Sequence, residues 1–313
     1  MLSRTASNLY WMGRYLERAD FTARLIEATQ RLSALPSSYG GAGNAWESAL
    51  EATWMTEAHA QRRLTVDEQG VSDFLTLDAS NPSSIRSCIE VARANARTVR
   101  TALTEEAWEA INSAWLEIAR YGSALATREQ VGPLLELTKH TVCAFDGAAQ
   151  RTMLRGDAFW FVNLGSAVER ADNSARLLDV KYHLLLPRGE SVGGSLDYFQ
   201  WTTILRTVSA MTAYRWVYRD SVKPWLVADL LILNRQMPRS LASCYEEILR
   251  YLDMLAASSG KRGAAHRLAA AGHARLKAAD IDSIFASGLH EFLTQFMRDN
   301  NALGEAIAEQ YLF

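Results

Sequence analysis

Apolar residues along this chain recur at helical spacing almost from end to end. Leu9, Met12, Leu16, Ala19, Ala23 and Ile26 fall at i, i+3, i+4 intervals, which predicts a first helix from about Arg4 to Leu32. Pro36 and the loop Gly40 to Gly43 end it. A helix follows around Trp46 to Trp54, and Thr65-Val66-Asp67-Glu68 reads as a capping box that opens a short helix toward Leu77. Asn81-Pro82-Ser83-Ser84 starts the next, with proline near a helix start where no intrahelical bond is lost. Thr104-Glu105-Glu106 opens another, and a long helix covers Pro133 to Leu154. After the break at Gly156-Asp157 the scheme recurs: Phe159 to Leu186, a glycine-rich loop, Leu196 to Met211, a short helix after Pro224, then Arg239 to Ala256. Ser258 to Gly263 is linker-like, and alanine-rich helices reach Phe313. No sustained period-two alternation and no Asn-Gly or Asp-Gly hairpin interrupts this pattern. The predicted fold class is all-α.

The recurrence extends to residue identity. Gly13, Glu17-Arg18-Ala19-Asp20, Arg24 and Leu25 return as Gly165, Glu169-Arg170-Ala171-Asp172, Arg176 and Leu177, an offset of 152 (169 − 17). Val71, Asp73, Leu75, Leu77, Pro82, Ser84, Ser87, Cys88 and Glu90 return as Val227, Asp229, Leu231, Leu233, Pro238, Ser240, Ser243, Cys244 and Glu246, at offset 156 (244 − 88). Gly40-Gly41 answers to Gly193-Gly194, and Trp46 to Trp201. Such fixed-period self-similarity suggests a tandem duplication. The expected architecture is a helical bundle of two pseudo-two-fold-related repeats, 1–156 and 157–313, sharing one core because paired long helices hide their apolar faces better together.

At 313 residues and 49% hydrophobic content the chain has enough apolar material for a well-buried core without staples. The net charge of −2 provides no global basic field, so nucleic acid is not an expected partner. Cys88, Cys143 and Cys244 show neither CxxC spacing nor an even-numbered framework; Cys88 and Cys244 read as small buried hydrophobes. No apolar run approaches the roughly 18 residues that span a bilayer, and the opening residues lack a signal-peptide layout. A soluble, cytoplasmic protein is expected.

The repeated charged residues are the best candidates for function. At about 100° per residue Gly13, Glu17, Asp20 and Arg24 share one stripe of the first helix, as do Gly165, Glu169, Asp172 and Arg176 of its counterpart. A mid-helix glycine costs about 1 kcal/mol relative to alanine, so its presence in both copies points to close approach of a backbone or ligand. One reading makes the stripes opposing walls of a site, with Glu17 and Glu169 as acid/base or amine-binding carboxylates and Arg24 and Arg176 as anion holders. Arg18 and Arg170 project about 100° away, toward a neighbouring helix or partner. The other reading is an inter-helix ion-pair network, in which Asp20–Arg24 and Asp172–Arg176 are i, i+4 pairs.

Other chemistry has weaker footing. The six histidines make no HxxxH or ExxH pair, so no metal site is expected. Neither glycine pair carries a P-loop Lys-Ser/Thr, no GxSxG is present, and no cofactor is implied. Tyr10, Trp11, Tyr15, Phe159, Trp160 and Phe161 surround the two motifs as core or interface bulk.

The opening residues, from Met1-Leu2-Ser3-Arg4-Thr5-Ala6-Ser7-Asn8-Leu9-Tyr10-Trp11-Met12-Gly13 through Glu17-Arg18-Ala19, resemble the signature start of the bacterial alpha-E family. So do Asn81-Pro82-Ser83-Ser84-Ile85, Ala92-Arg93-Ala94-Asn95-Ala96-Arg97 and the second Glu169-Arg170-Ala171-Asp172 block, and the resemblance covers essentially the whole chain. It implies an all-helical protein encoded beside, or fused to, a circularly permuted ATP-grasp ligase, with a transglutaminase-like protein often in the same operon. The implied setting is an ATP-dependent amide- or peptide-forming pathway. The expected role is a helical partner that does not hydrolyse ATP and binds the ligase or its peptide-like substrate at the Glu-Arg stripes. An enzyme using Glu17 or Glu169 as general base, and a purely structural scaffold, are the alternatives.

Overall fold

The long apolar spacing of the first segment closes into α1 (Ser3–Ser33), a helix buried on nearly all sides. The computed structural model describes residues 1–34, 42–122, 128–183, 195–260 and 262–311. Pro36, Gly40-Gly41 and Gly193-Gly194 lie outside them. Among the described residues every regular element is helical, and the predicted all-α class holds.

The first half continues with α2 (Ala42–Ala52), α3 (Thr56–Gln61), α4 (Glu68–Thr76), α5 (Ile85–Thr98), α6 (Glu105–Ile118) and α7 (Val131–Thr152). The second half runs α8 (Asp157–His183), α9 (Ser195–Thr207), α10 (Met211–Tyr218), α11 (Pro224–Ile232), α12 (Leu241–Ser259), α13 (Ala264–Ala278), α14 (Ile281–Ser287) and α15 (Leu289–Tyr311). Three expectations need correcting. Leu196 to Met211 is not one helix: the chain turns at Ser209, whose φ is 55°, and restarts as α10. The cap of α4 is Asp67 rather than Thr65, because the Asp67 carboxylate accepts the Gly70 N–H at 2.8 Å. The linker-like Ser258-Ser259 belongs to α12, which ends at Gly260 with φ 70°.

Local chemistry repeats between the halves. Ser84 and Ser240 cap α5 and α12 by accepting the Ser87 and Ser243 N–H groups. Among the described residues the non-glycine residues with positive φ are Trp54, Arg63, Ser209 and Arg219, which pair at separations of 155 (209 − 54) and 156 (219 − 63). Packing repeats too: α1 lies against α5 and α7, α8 against α12 and α15, and each crosses to the other half, α1 to α9 and α8 to α2.

The axis of the molecule is the pair α1 and α8. Met1 Nα lies 3.4 Å from Asp157 Oδ2 where the helices begin, and Arg170 reaches Glu17 further along, so the two run side by side in the same direction. Their approach is reciprocal. A Cβ added at Gly13 would collide with the Val162 carbonyl oxygen, and one added at Gly165 with the Tyr10 carbonyl oxygen. The Ser166 hydroxyl donates to the Gly13 carbonyl at 3.3 Å across this contact. The two glycines thus remove the side chains that would hold the backbones apart, which accounts for glycine in mid-helix at both places. Around the pair a single apolar core takes in Leu9, Met12, Leu16 and Ile26 of α1, Leu164, Val168 and Leu178 of α8, and residues of every later long helix.

Candidate functional site

Glu17 and Glu169 are each 2% exposed, facing one another's helices beside the glycine contact. Each is held by arginines from the other half of the chain. Arg170 donates to Glu17 Oε2 through Nη2 (2.8 Å) and Nε (3.1 Å). In return Arg18 donates to Glu169 through Nε (2.6 Å) and Nη2 (3.2 Å), and Arg14 adds its Nε at 2.7 Å. The Glu-Arg dipeptide is therefore exchanged between the helices. Arg18 and Arg170 do project away from their own glutamates, as the helical angle requires, but the projection delivers them to the other copy's glutamate. They belong to the same cluster rather than to a separate packing contact.

The aspartates complete the cluster differently on the two sides. Asp20 accepts Arg24 Nε at 2.7 Å and Asp172 accepts Arg176 Nε at 2.6 Å, so the i, i+4 pairs form. Arg24 and Arg176 are thereby tied to carboxylates of their own helix. On the first side a further guanidinium intervenes: Arg239 donates through Nη1 to Glu17 Oε1 and through Nη2 to Asp20 Oδ2, both at 2.7 Å. The residue that answers to Arg239 in the first half is Ser83, one position before the Ser84 cap. Among the described residues the Ser83 hydroxyl accepts only from Arg18 Nη1, at 3.5 Å.

Burial by itself would raise both glutamates, but the guanidinium groups outweigh it. Arg170 and Arg239 hold Glu17 at about 2, and Arg14 and Arg18 hold Glu169 at about 2. A carboxylate that weakly basic is poorly matched to proton abstraction near neutral pH, which counts against Glu17 or Glu169 as general base. Asp146 behaves in the opposite way: burial, reinforced by the charge of Glu17, pushes it up to about 6. Cys88 and Cys244 are buried and pushed up to about 12 by that burial, so they are not nucleophilic thiols.

Where Ser83 replaces an arginine, a cavity of about 290 Å³ opens. Its wall is built from Arg18, Phe21 and Thr22 of α1, the turn Ala52 to Met55, Ser83, and Glu169, Asp172, Asn173 and Arg176 of α8. Trp54 stands at the rim, 61% exposed, with φ 55° and the Arg176 guanidinium 4.0 Å from its ring centroid. A tryptophan in the left-handed region is strained, and such strain tends to collect at functional places.

Sequence reasoning named Gly13, Glu17, Arg18, Asp20, Arg24, Gly165, Glu169, Arg170, Asp172 and Arg176, and the structure gathers all ten around one helix pair. It missed Arg14, Asp146, Trp54 and Arg239. For Arg239 a signal existed, because Pro238-Arg239-Ser240 answers Pro82-Ser83-Ser84 with one neutral residue exchanged for a charged one. Among the described residues no group of three or more His, Cys, Asp and Glu is arranged to hold a metal ion, and no helix is long and apolar enough to cross a membrane.

These features define an all-helical protein organised on an internally exchanged Glu-Arg pair. The chain belongs to the Alpha-E family, whose model, described as a predicted alpha-helical domain with a conserved ER motif, matches residues 1–312. It is also similar to uncharacterized proteins of Mycobacterium bovis and Mycobacterium tuberculosis, at 22% identity over 327 aligned positions. The match covers 98% of this chain and 36% of each relative, so the chain spans about a third of their length. No solved structure matches it.

Proposed function

We propose that this protein is a helical binding subunit of an ATP-grasp amide or peptide ligase system, which engages the ligase and its peptide-like substrate and does not itself hydrolyse ATP. The observation that carries this reading is the state of the Glu-Arg cluster. Its glutamates are paired, buried and held at about 2, which suits a rigid scaffold for recognition better than acid/base turnover. The relatives add support: the matched segment is about a third of their length, so in them it works joined to further polypeptide. The resemblance to proteins encoded beside or fused to circularly permuted ATP-grasp ligases supplies the identity of that partner, with a transglutaminase-like protein as a second associate. The cytoplasm, where ATP is abundant, is the proposed setting.

The partner surface fits the helices α9 to α11, where Tyr198, Phe199, Trp216, Val217 and Trp225 remain solvent-exposed. Co-expression with the cognate ligase tests the reading directly. The two should co-purify, and deletion of this chain should abolish or sharply reduce product formation. A ligase that never associates with it, and makes product equally well without it, overturns the proposal. If purified protein instead changes the mass of the ligase product, and Glu17→Gln with Glu169→Gln stops it, the chain is an enzyme in its own right.

A further inference from the structure

Beside Glu169 the cluster borders a cavity and is left chemically incomplete, and comparison of the two stripes shows what is missing. On the first side Asp20 Oδ2 accepts two guanidinium N–H groups, from Arg24 and Arg239. On the second, Asp172 Oδ2 accepts only Arg176, and Ser83 leaves the place of the second guanidinium open. Asp172 Oδ1 and Asn173 Nδ2 are buried without a hydrogen-bond partner among the described residues, and both side chains line the cavity. Asp172 is 4% exposed and Asn173 5%. Asp20 Oδ1 is also without a hydrogen-bond partner among the described residues, but on that side Arg239 already bridges Glu17 and Asp20. A buried acceptor and a buried donor left unpaired each carry a desolvation cost, which a ligand with matching groups recovers.

The charges refine the ligand. Arg14, Arg18 and Arg176 face Glu169 and Asp172, one positive charge in excess. Arg18 Nη1 has only the 3.5 Å contact to Ser83, and the Nη groups of Arg176 donate no hydrogen bond among the described residues. Guanidinium N–H groups not committed to a protein carboxylate are suited to donate to a ligand's. Phe21, Ala52, Met55 and the Trp54 ring give the rest of the wall an apolar part, beside Thr22, Thr53 and Ser83. At about 290 Å³ the space lies near the lower limit of small-molecule sites and has room for an amino-acid residue.

We propose that this cavity binds the α-amino acid unit of a free amino acid or a peptide C-terminus. The carboxylate lies between Arg18 and Arg176, the amino or amide N–H donates to Asp172, any adjoining carbonyl accepts from Asn173, and an apolar side chain packs on Phe21, Met55 and Trp54. This inference rests on the substrate-binding half of the function proposed above. It assigns the substrate to the second-half stripe, Glu169 to Arg176, and leaves the Glu17 stripe sealed by Arg239.

Saturation-transfer NMR on the isolated chain tests it, with the standard L-amino acids and a set of tripeptides as probes at millimolar concentration. Binding is expected for members of the set with apolar side chains. For the strongest amino-acid binder, the analogue lacking the amino group and the analogue lacking the carboxylate should each bind at least about tenfold more weakly. Ser83→Arg, which supplies the guanidinium that Arg239 supplies on the other side, should abolish binding while the thermal midpoint stays level or rises. Asp172→Asn should abolish the preference for the amino-bearing ligand over its deaminated analogue, and it stands as the readout should Ser83→Arg fold poorly. No binding from any probe, or binding that both variants leave unchanged, overturns the assignment. Because the ligase is absent from this experiment, failure here leaves ligase association to be judged by co-purification, and failure there leaves the cavity's ligand to be judged here.

Discussion

Each buried glutamate of the exchanged motif is surrounded by two guanidinium groups, and its free-energy contribution depends on keeping its charge. Removing one partner from a buried ion pair is far more costly than the pair's net value, because the remaining charges are left uncompensated. Glu17→Gln or Glu169→Gln should therefore lower unfolding stability by about 3 kcal/mol, whereas Glu117→Gln at the surface, where Glu117 pairs with exposed Arg120, should cost under about 0.5 kcal/mol. Denaturant melts compare them. The same carboxylates set an acid limit. Their folded values, about 2, lie below the ordinary 4.5, so the stability they contribute is complete above about pH 4.5 and is lost as pH falls toward 2. Unfolding midpoints measured down this range should drop steeply in the parent chain and less in the doubly substituted Gln variant; parallel profiles would contradict the assignment.

Among elements, α1 and α8 matter most, because their contact places both charged stripes. Their glycines are packing devices: a methyl group at either would meet the opposing carbonyl oxygen and force the helices apart. Gly13→Ala and Gly165→Ala should each destabilise by about 1–3 kcal/mol, despite the better helix propensity of alanine. Since both act on one contact, the double variant should depart from additivity in a thermodynamic cycle. Gly147→Ala, where an added Cβ meets nothing within 4 Å, should be neutral or stabilising. Most helix spans were legible in advance from apolar spacing and from proline and glycine breaks, whereas the capping serines Ser84 and Ser240 were recognised only in the structure. The break at Ser209 was not, because Leu196 to Met211 keeps a helical pattern across it and only packing imposes the left-handed turn.

At the scale of the whole molecule the buried apolar residues of α1, α8 and the later long helices form one cluster, and the surface around α9 to α11 keeps aromatics in water. Trp216 is 77% exposed and Trp225 47%, so truncating them removes little from the core. Trp216→Ala with Trp225→Ala should weaken association with the ligase by tenfold or more, about 1.4 kcal/mol, while moving the thermal midpoint only slightly. Pull-down of the variant beside the parent chain, with melting curves for both, decides whether this face is the docking surface. Undiminished association would move the search to another face.

The sequence by itself determined the all-helical class, the family, the repeated motif and the motif's own charged residues, Glu17, Arg18, Asp20 and Arg24 with Glu169, Arg170, Asp172 and Arg176. Those follow from local spacing and composition, which are properties of short segments. Tertiary structure decided what the motif does. Helical angles put Arg18 and Arg170 on a different face from Glu17 and Glu169, and only the parallel approach of α1 and α8 makes that face the right one for the other copy's carboxylate. It likewise decided that Arg239 closes one stripe while Ser83 leaves the other open, since the two residues are far from the motif in sequence and reach it only through the placement of the chain just before α12 and α5. Long-range electrostatic pairing is a property of the assembled core, and no periodicity along the chain encodes it.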